Sequence, residues 1–174
     1  EPSASGVKSY QTLQSGWLDE YRQHKQNNTL PAGFVLNMLT SLRHHCGMLK
    51  VWPACQWVAE YHKQTGKPVV VYTHHRDVLN RVVEGLNPDV LRVAIIEGGV
   101  SAQKRQAVIE DFQAGNVDVL VANILSANMG ITLTKADTVV FVEREWTPAV
   151  EEQAEDRVNR IGQDASVVHA VYLC

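Results

Sequence analysis

From Pro68 onward the chain predicts an α/β fold, a doubly wound and mostly parallel sheet flanked by helices, with an N-terminal helical extension ahead of it. Three observations carry that expectation. Short runs rich in β-branched residues recur: VVVY (69–72), VAII (93–96), VLVA (119–122), TVVFV (138–142) and SVVHAVYL (166–173). Stretches of helical periodicity stand between them. The runs are apolar at successive positions, as strands are when helices cover both faces of a parallel sheet.

The opening residues predict helices. Tyr10, Leu13, Trp17 and Tyr21 fall at helical spacing within 8–26, and Val35, Met38, Leu39, Leu42 and Cys46 repeat it after the break Asn27-Asn28-Thr29-Leu30-Pro31. A third helix is expected at about 51–64, with Pro53 in its first turn, Val51, Cys55, Val58 and His62 along one stripe, and Gly66 as its stop. Between the strands, Val78/Leu79, Val82/Val83 and Leu86 predict one helix, and Val108/Ile109 and Phe112, ending at Gly115, predict the next. The last is expected over 148–161, with Thr147 as cap and Pro148 in the first helical position. Ligands of open parallel sheets sit at the carboxyl ends of strands, so the loops after 72, 96, 122 and 142 are the places to look.

At 174 residues, 45% apolar and 20% charged, the chain suits one globular domain with a core large enough to need no disulfide or metal. A net charge of −3 argues against a globally basic nucleic-acid binder while leaving a local basic face open. Cys46, Cys55 and Cys174 form no CxxC pair, and reduced thiols are expected. No apolar run is long enough to span a bilayer, and residues 1–30 lack a secretory pattern, so a soluble intracellular chain is expected. His74-His75 and His44-His45-Cys46 raise a metal reading, but neighbouring side chains diverge and no acidic or thiol cluster completes a ligand set. No metal site is expected.

The stretch QAEDRVNRIGQ at 153–163 is the most informative. On a helix, Gln153, Arg157 and Arg160 are spaced i, i+4 and i+7 and share one face. Guanidinium is planar, always charged and bidentate to phosphoryl oxygens, so such a face suits a triphosphate and can act as an arginine finger. The same helix also reads as a solvated surface on which the arginines pair with Glu151, Glu152, Glu155 or Asp156.

This string resembles the last motif of superfamily-two helicases in its SWI/SNF-type form, Q-x-x-D-R-x-x-R-I-G-Q. VANILSANMGITLTKADTVVF at 121–141 resembles the family's fifth motif, with Gly130, Thr132, Thr134 and Asp137 in register. Ser126-Ala127-Asn128 stands where most of the family has Ala-Gly-Gly, a form similar to the HARP-like annealing-helicase branch, and VVVYTHHRDVLNRV at 69–82 resembles that branch's fourth motif. EGGVSAQKRQAVIEDF at 97–112 resembles a loop and helix that approach the DNA backbone, although Gly99 and Val100 replace its hydroxyl positions. MLTSLRHHCGMLKVWPACQWV is similar to the helices before the fourth motif, so the resemblance covers about 35–174.

The resemblance implies a RecA-like C-terminal lobe over 49–174, with 1–48 as a helical extension packed on it. It implies Gln153, Arg157 and Arg160 as catalytic residues, Gly130 and Asn128 with both arginines at ATP, and Thr73, Ser101, Lys104 and Thr132 at the DNA backbone. No phosphate-loop string and no D-E-x-H-type string occurs, so Mg2+ would be held mainly by a first RecA-like lobe of the same parent chain, of which this is expected to be an excised part. Double-stranded or forked DNA is the implied partner, without a membrane, and the implied location is DNA-associated, in cytoplasm or nucleus according to the organism. Three other readings remain open: an inert RecA-like binding module, against which the intact Gln153/Arg157/Arg160 set argues; an RNA helicase lobe, which typically carries a different last motif; and a stand-alone Rossmann enzyme, for which G-x-G-x-x-G is absent.

Overall fold

The structure, a computed structural model, describes residues 3–87 and 89–173, without the side chains of 127–129. Cys174 and the Asn128 side chain therefore lie outside the described residues. The chain divides into two compact units, Glu1–Lys50 and Val51–Cys174.

In the first unit, α1 (Ala4–Gln26) is capped by the Ser3 hydroxyl, which accepts the Gly6 N–H at 3.1 Å. Asn28 has φ 55° beyond its end, a left-handed turn that Asn tolerates, so the expected break is where the helix stops. α2 (Phe34–Thr65) follows. Phe34 meets Trp17 edge-on at 5.4 Å between ring centroids, and the Trp17 indole N–H reaches Ser41 at 3.4 Å.

The expected third helix is not separate. α2 runs unbroken for 32 residues with Pro53 in its interior, and the boundary between the units falls within it. Proline fits helical φ and forfeits one hydrogen bond, and no Ser, Thr, Asp or Asn stands between Cys46 and Pro53 to cap a new start, so one lost bond does not end the helix. Gly66, at φ 66°, stops it where the sequence predicts.

The second unit carries β1 (Val69–Thr73), α3 (Arg76–Gly85), β2 (Val93–Ile96), α4 (Ala102–Gln113), β3 (Val119–Asn123), a 3-10 segment (Ile124–Met129), β4 (Thr138–Phe141), α5 (Pro148–Glu155) and β5 (His169–Tyr172). The strands form one sheet in the order β2-β3-β1-β4-β5 with every pairing parallel. This is the doubly wound α/β fold that the sequence predicts. The central strands are sealed on both faces: Val69, Val70, Val71, Leu120, Val121, Val139 and Val140 are all fully buried. Across β1, β4 and β5 the register places Tyr72, Phe141 and Tyr172 side by side, stacked at 5.5 and 4.7 Å between centroids.

At the amino edge of the sheet, Asp137 is nearly buried and fastens α2 to β4. The Tyr61 hydroxyl donates to its Oδ1 at 2.9 Å, Thr138 lies 3.0 Å from the same oxygen, and Lys67 pairs with Oδ2. Asp118 similarly receives the backbone N–H of Arg92 at 2.8 Å and its guanidinium at 2.5 Å. Burial pushes both carboxyls up, but these donors outweigh it and hold each below the usual carboxylate range. With the folded pKa depressed, the unfolded chain binds more protons in acid. The stabilisation is then complete above about pH 4 and lost as pH falls through the folded values. Urea titrations from pH 5 downward should show stability falling, with a shallower fall in Asp137→Asn; an unchanged slope in that variant refutes the assignment.

Gly85, in the last turn of α3, faces α2 so closely that an added Cβ would stand 2.8 Å from Cys55 Sγ. Gly85→Ala should therefore lose stability despite the better helix former. A double-mutant cycle with Cys55→Ala should show non-additivity on the order of 1 kcal/mol or more by urea denaturation. Additive effects would mean that the sulfur is not the obstacle.

Candidate functional site

Because the pairings are parallel and in step, β1 to β4 release their loops along one edge. Val142 N–H to the Tyr72 carbonyl, at 3.0 Å, is the last rung between β1 and β4. Beyond it a side chain takes over. Glu143, its side chain fully buried, accepts the N–H of His74 at 2.7 Å and of His75 at 2.8 Å, and pairs with His75 Nδ1 at 2.6 Å. Glu145 pairs with His74 Nδ1. Both rings make these contacts through Nδ1.

The same network continues to both sides. Asn123, ending β3, donates from Nδ2 to the His74 carbonyl at 2.6 Å and accepts the Leu125 N–H at 3.0 Å. On the other side Glu151, buried in α5, accepts from Nε and Nη2 of Arg144 at 2.8 Å each and from the Glu145 N–H at 2.7 Å. Arg144 lies 4.2 Å over the Tyr172 ring, whose hydroxyl binds Glu155. Burial and that carboxylate push the Tyr172 phenol far above its usual range. Sequence reasoning missed Glu143, Glu145 and Arg144, and named Glu151 only as a possible partner of Arg157 or Arg160. The signal was there in E-R-E after one strand and H-H after another, but pairing them requires knowing that β1 and β4 are neighbours.

The helix expected over 148–161 ends at Glu155, with Asp156 as its cap. Gln153, Arg157 and Arg160 therefore do not share a helical face: Gln153 is exposed on α5, and the arginines occupy the turn after it. Beyond α5 the chain is held by hydrogen bonds to other segments. Leu133 N–H donates to the Arg157 carbonyl at 2.8 Å. The Gln163 amide donates to the carbonyls of Val158 at 3.0 Å and Ala136 at 2.7 Å, and accepts the Ala165 N–H at 2.9 Å. Gly162 reverses the chain at φ 99°, and Val158 plugs the turn into the core with no exposed surface. The turn is thus clamped to the segment before β4.

Two of the expected site residues meet directly. Arg160 is exposed and donates from Nη1 to the Thr132 hydroxyl at 3.2 Å. Arg157 is half-buried, and its charge reaches the Tyr72 hydroxyl: burial pushes that phenol far up and Arg157 opposes it. Gly130 ends the 3-10 segment at φ 71° with open space on its Cβ side. One groove joins it and Thr132 to Arg105 and Gln106 of α4.

The others stand apart. Ser101 caps α4, accepting the Lys104 N–H at 3.3 Å, and Lys104 is exposed beside it. Gly99 turns the chain at φ 88° just before, and Arg105 holds that turn through the Val100 carbonyl at 3.0 Å. Thr73, the last residue of β1, is fully buried, and its hydroxyl has no hydrogen-bond partner among the described residues. Among the described residues no group of three or more His, Cys, Asp or Glu is placed to hold a metal ion.

A five-stranded parallel sheet of this order flanked by helices is a RecA-like fold. The model of the helicase conserved C-terminal domain matches residues 50–162. The SWI/SNF-related matrix-associated actin-dependent regulator of chromatin subfamily A-like protein 1 of Xenopus tropicalis is 38% identical over 68% of this chain and 13% of its own length. The human DNA annealing helicase and endonuclease ZRANB3 is 30% identical over 76% of this chain and 12% of its own. The chain thus spans about an eighth of these relatives. The fold also matches the Sulfolobus solfataricus SWI2/SNF2 ATPase core in complex with dsDNA, with a TM-score of 0.77 at 20% identity over 99% of this chain and 39% of that one. The chain belongs to the helicase C-terminal domain family, as the C-terminal lobe of the SWI/SNF type.

The Gln163 clamp can be checked by chemistry. Gln163→Glu keeps the shape but brings only acceptors to two carbonyl oxygens, so it should destabilise the chain at least as much as Gln163→Ala, by about 1–3 kcal/mol. Calorimetry that finds Glu tolerated and Ala not would exclude this role.

Proposed function

We propose that the chain is the second motor lobe of a DNA-dependent ATPase of the translocase type, in which Arg157 and Arg160 complete an ATP site built mainly by a first lobe of the same parent chain. Residues 49–174 form the lobe in this reading and 1–48 its helical extension. The observation that carries it is the clamping of the arginine turn to the segment after Gly130, through the Leu133 N–H on the Arg157 carbonyl and Arg160 on Thr132. The fit to ATP is chemical. Two guanidiniums, one half-buried and one exposed, offer bidentate donors to phosphoryl oxygens, and an open glycine beside them admits close approach.

ATP with Mg2+ supplies the hydrolysable phosphoanhydride, and the metal's ligands belong to the first lobe. From this side, Arg160 would leave Thr132 to neutralise charge on the transferred phosphoryl group, with Arg157 beside it and Gln153 at the rim. Ser101, Lys104 and Thr132 would touch the backbone of double-stranded or forked DNA. Contacts of that kind carry little sequence information and weaken with salt. Its place is then with intracellular DNA.

The test is hydrolysis of ATP with and without duplex DNA, by this chain alone and by the two-lobed parent. The lobe alone should be inactive and the parent stimulated by DNA. Arg160→Ala in the parent should cut stimulated hydrolysis by about a thousandfold or more while leaving ATP binding largely intact. Near-normal turnover in that variant sinks the finger role. A parent that binds DNA but never hydrolyses ATP makes the lobe an inert binding module.

A further inference from the structure

We propose that His74 and Glu145 are positioning residues that hold the arginine turn in register with the segment after β3, and so couple DNA engagement to hydrolysis. The coupling half of this rests on the motor reading above.

Hydrogen bonds and one guanidinium–ring contact join the pieces of the carboxyl edge. Asn123 ties the 3-10 segment, through the Leu125 N–H, to the His74 carbonyl. The His74 ring passes the connection to Glu145. The Glu145 N–H and Arg144 both end on Glu151 in α5, and Arg144 covers Tyr172, which holds Glu155 in the last turn of that helix. Arg157 follows two residues later.

The start of α5 needs this hold. It has eight residues, too few for a helix to be stable by itself, and its N-cap Thr147 makes no side-chain cap bond. Glu151 is the group that grips the incoming loop, and its hold on Glu145 is only as firm as the loop itself. On the β1 side the adjacent Glu143 is a fixed staple, enclosed by two main-chain donors and a ring. The His74 to Glu145 bond differs: it is a side-chain bond on a ring 25% exposed and a carboxylate 7% exposed. It is the adjustable joint between a held loop and a helix that leads to the arginines.

In this chain, His74→Ala should speed backbone amide exchange at Leu133 and Gln163, whose N–H groups donate to the Arg157 and Arg160 carbonyls, by about tenfold, leaving the amides of β1 to β3 unchanged. In the two-lobed parent the same variant should lose about tenfold in DNA-stimulated hydrolysis with basal hydrolysis unchanged, the size of an ordinary coupling between sites. His74→Asn, whose Nδ2 stands near the position of the ring Nδ1, should restore both, and Glu145→Ala, which removes the acceptor, should behave as His74→Ala. Unchanged exchange overturns the proposal. So does faster exchange with stimulation intact, or an equal loss of basal and stimulated rates. The unsubstituted parent tests the motor reading separately: if DNA does not stimulate it, that reading falls, while exchange in this chain still decides whether His74 positions the turn.

Discussion

The functional edge depends on a carboxylate with no contact to solvent. Parallel pairing holds β1 and β4 together only as far as the Val142 rung, and the loops that leave them there have no ladder to follow. Glu143 extends the ladder with its side chain, taking two main-chain N–H groups and an imidazole from the opposite loop. Burying a charge costs several kcal/mol when it is left unmatched, so the site is tolerable only with those donors in place. Removing them would leave an uncompensated charge between the central strands. The positions of His74, Glu145 and the start of α5 all follow from this one staple.

The arginine turn is built on the same principle with the polarity reversed. There the main chain presents carbonyls, and the Gln163 amide supplies the donors. Each device replaces regular secondary structure at the point where it stops. They differ in what they leave exposed: the Glu143 staple is closed, whereas the turn keeps the Arg160 guanidinium in water with, among the described residues, a neutral hydroxyl as partner. A guanidinium held that way gives up little when a stronger anion arrives. One already paired with a buried carboxylate, as Arg144 is with Glu151, does not exchange so readily.

The strands were legible in the sequence because burial on both faces leaves a run of β-branched residues that needs no partner to be recognised, and Gly66 and Gly115 were legible because each adopts a positive φ just past a helix end. What was not legible depended on contacts between distant segments. The spacing of Gln153, Arg157 and Arg160 fits a helix, yet α5 ends at Glu155 and the turn after it is held through its carbonyls by Leu133 and Gln163, which nothing local in residues 156–161 announces. Thr73 reads as the first residue after a strand, whereas it is still inside that strand, which is central to the sheet. His74 and His75 were conspicuous, and their acidic partners were hidden by sheet order. Motif strings therefore located the segments correctly, while the hydrogen bonds between segments decided which atoms each one presents.

The loop before α4 shows what this means for function. Gly99 and Val100 stand where the family pattern has hydroxyls, Ser101 is engaged in capping, and Arg105 is turned back onto the Val100 carbonyl. What remains for a phosphate is the hydrogen of the capping Ser101 hydroxyl, the exposed Lys104 and main-chain amides at a helix start. With a net charge of −3 over the chain, no general positive field makes up the difference. For a lobe acting as proposed, that combination favours a weak and readily broken hold on the DNA backbone. A motor that must release one phosphate to take the next is served better by such a hold than by a tight one, and the stronger charges are kept instead at the arginine turn, where hydrolysis would use them.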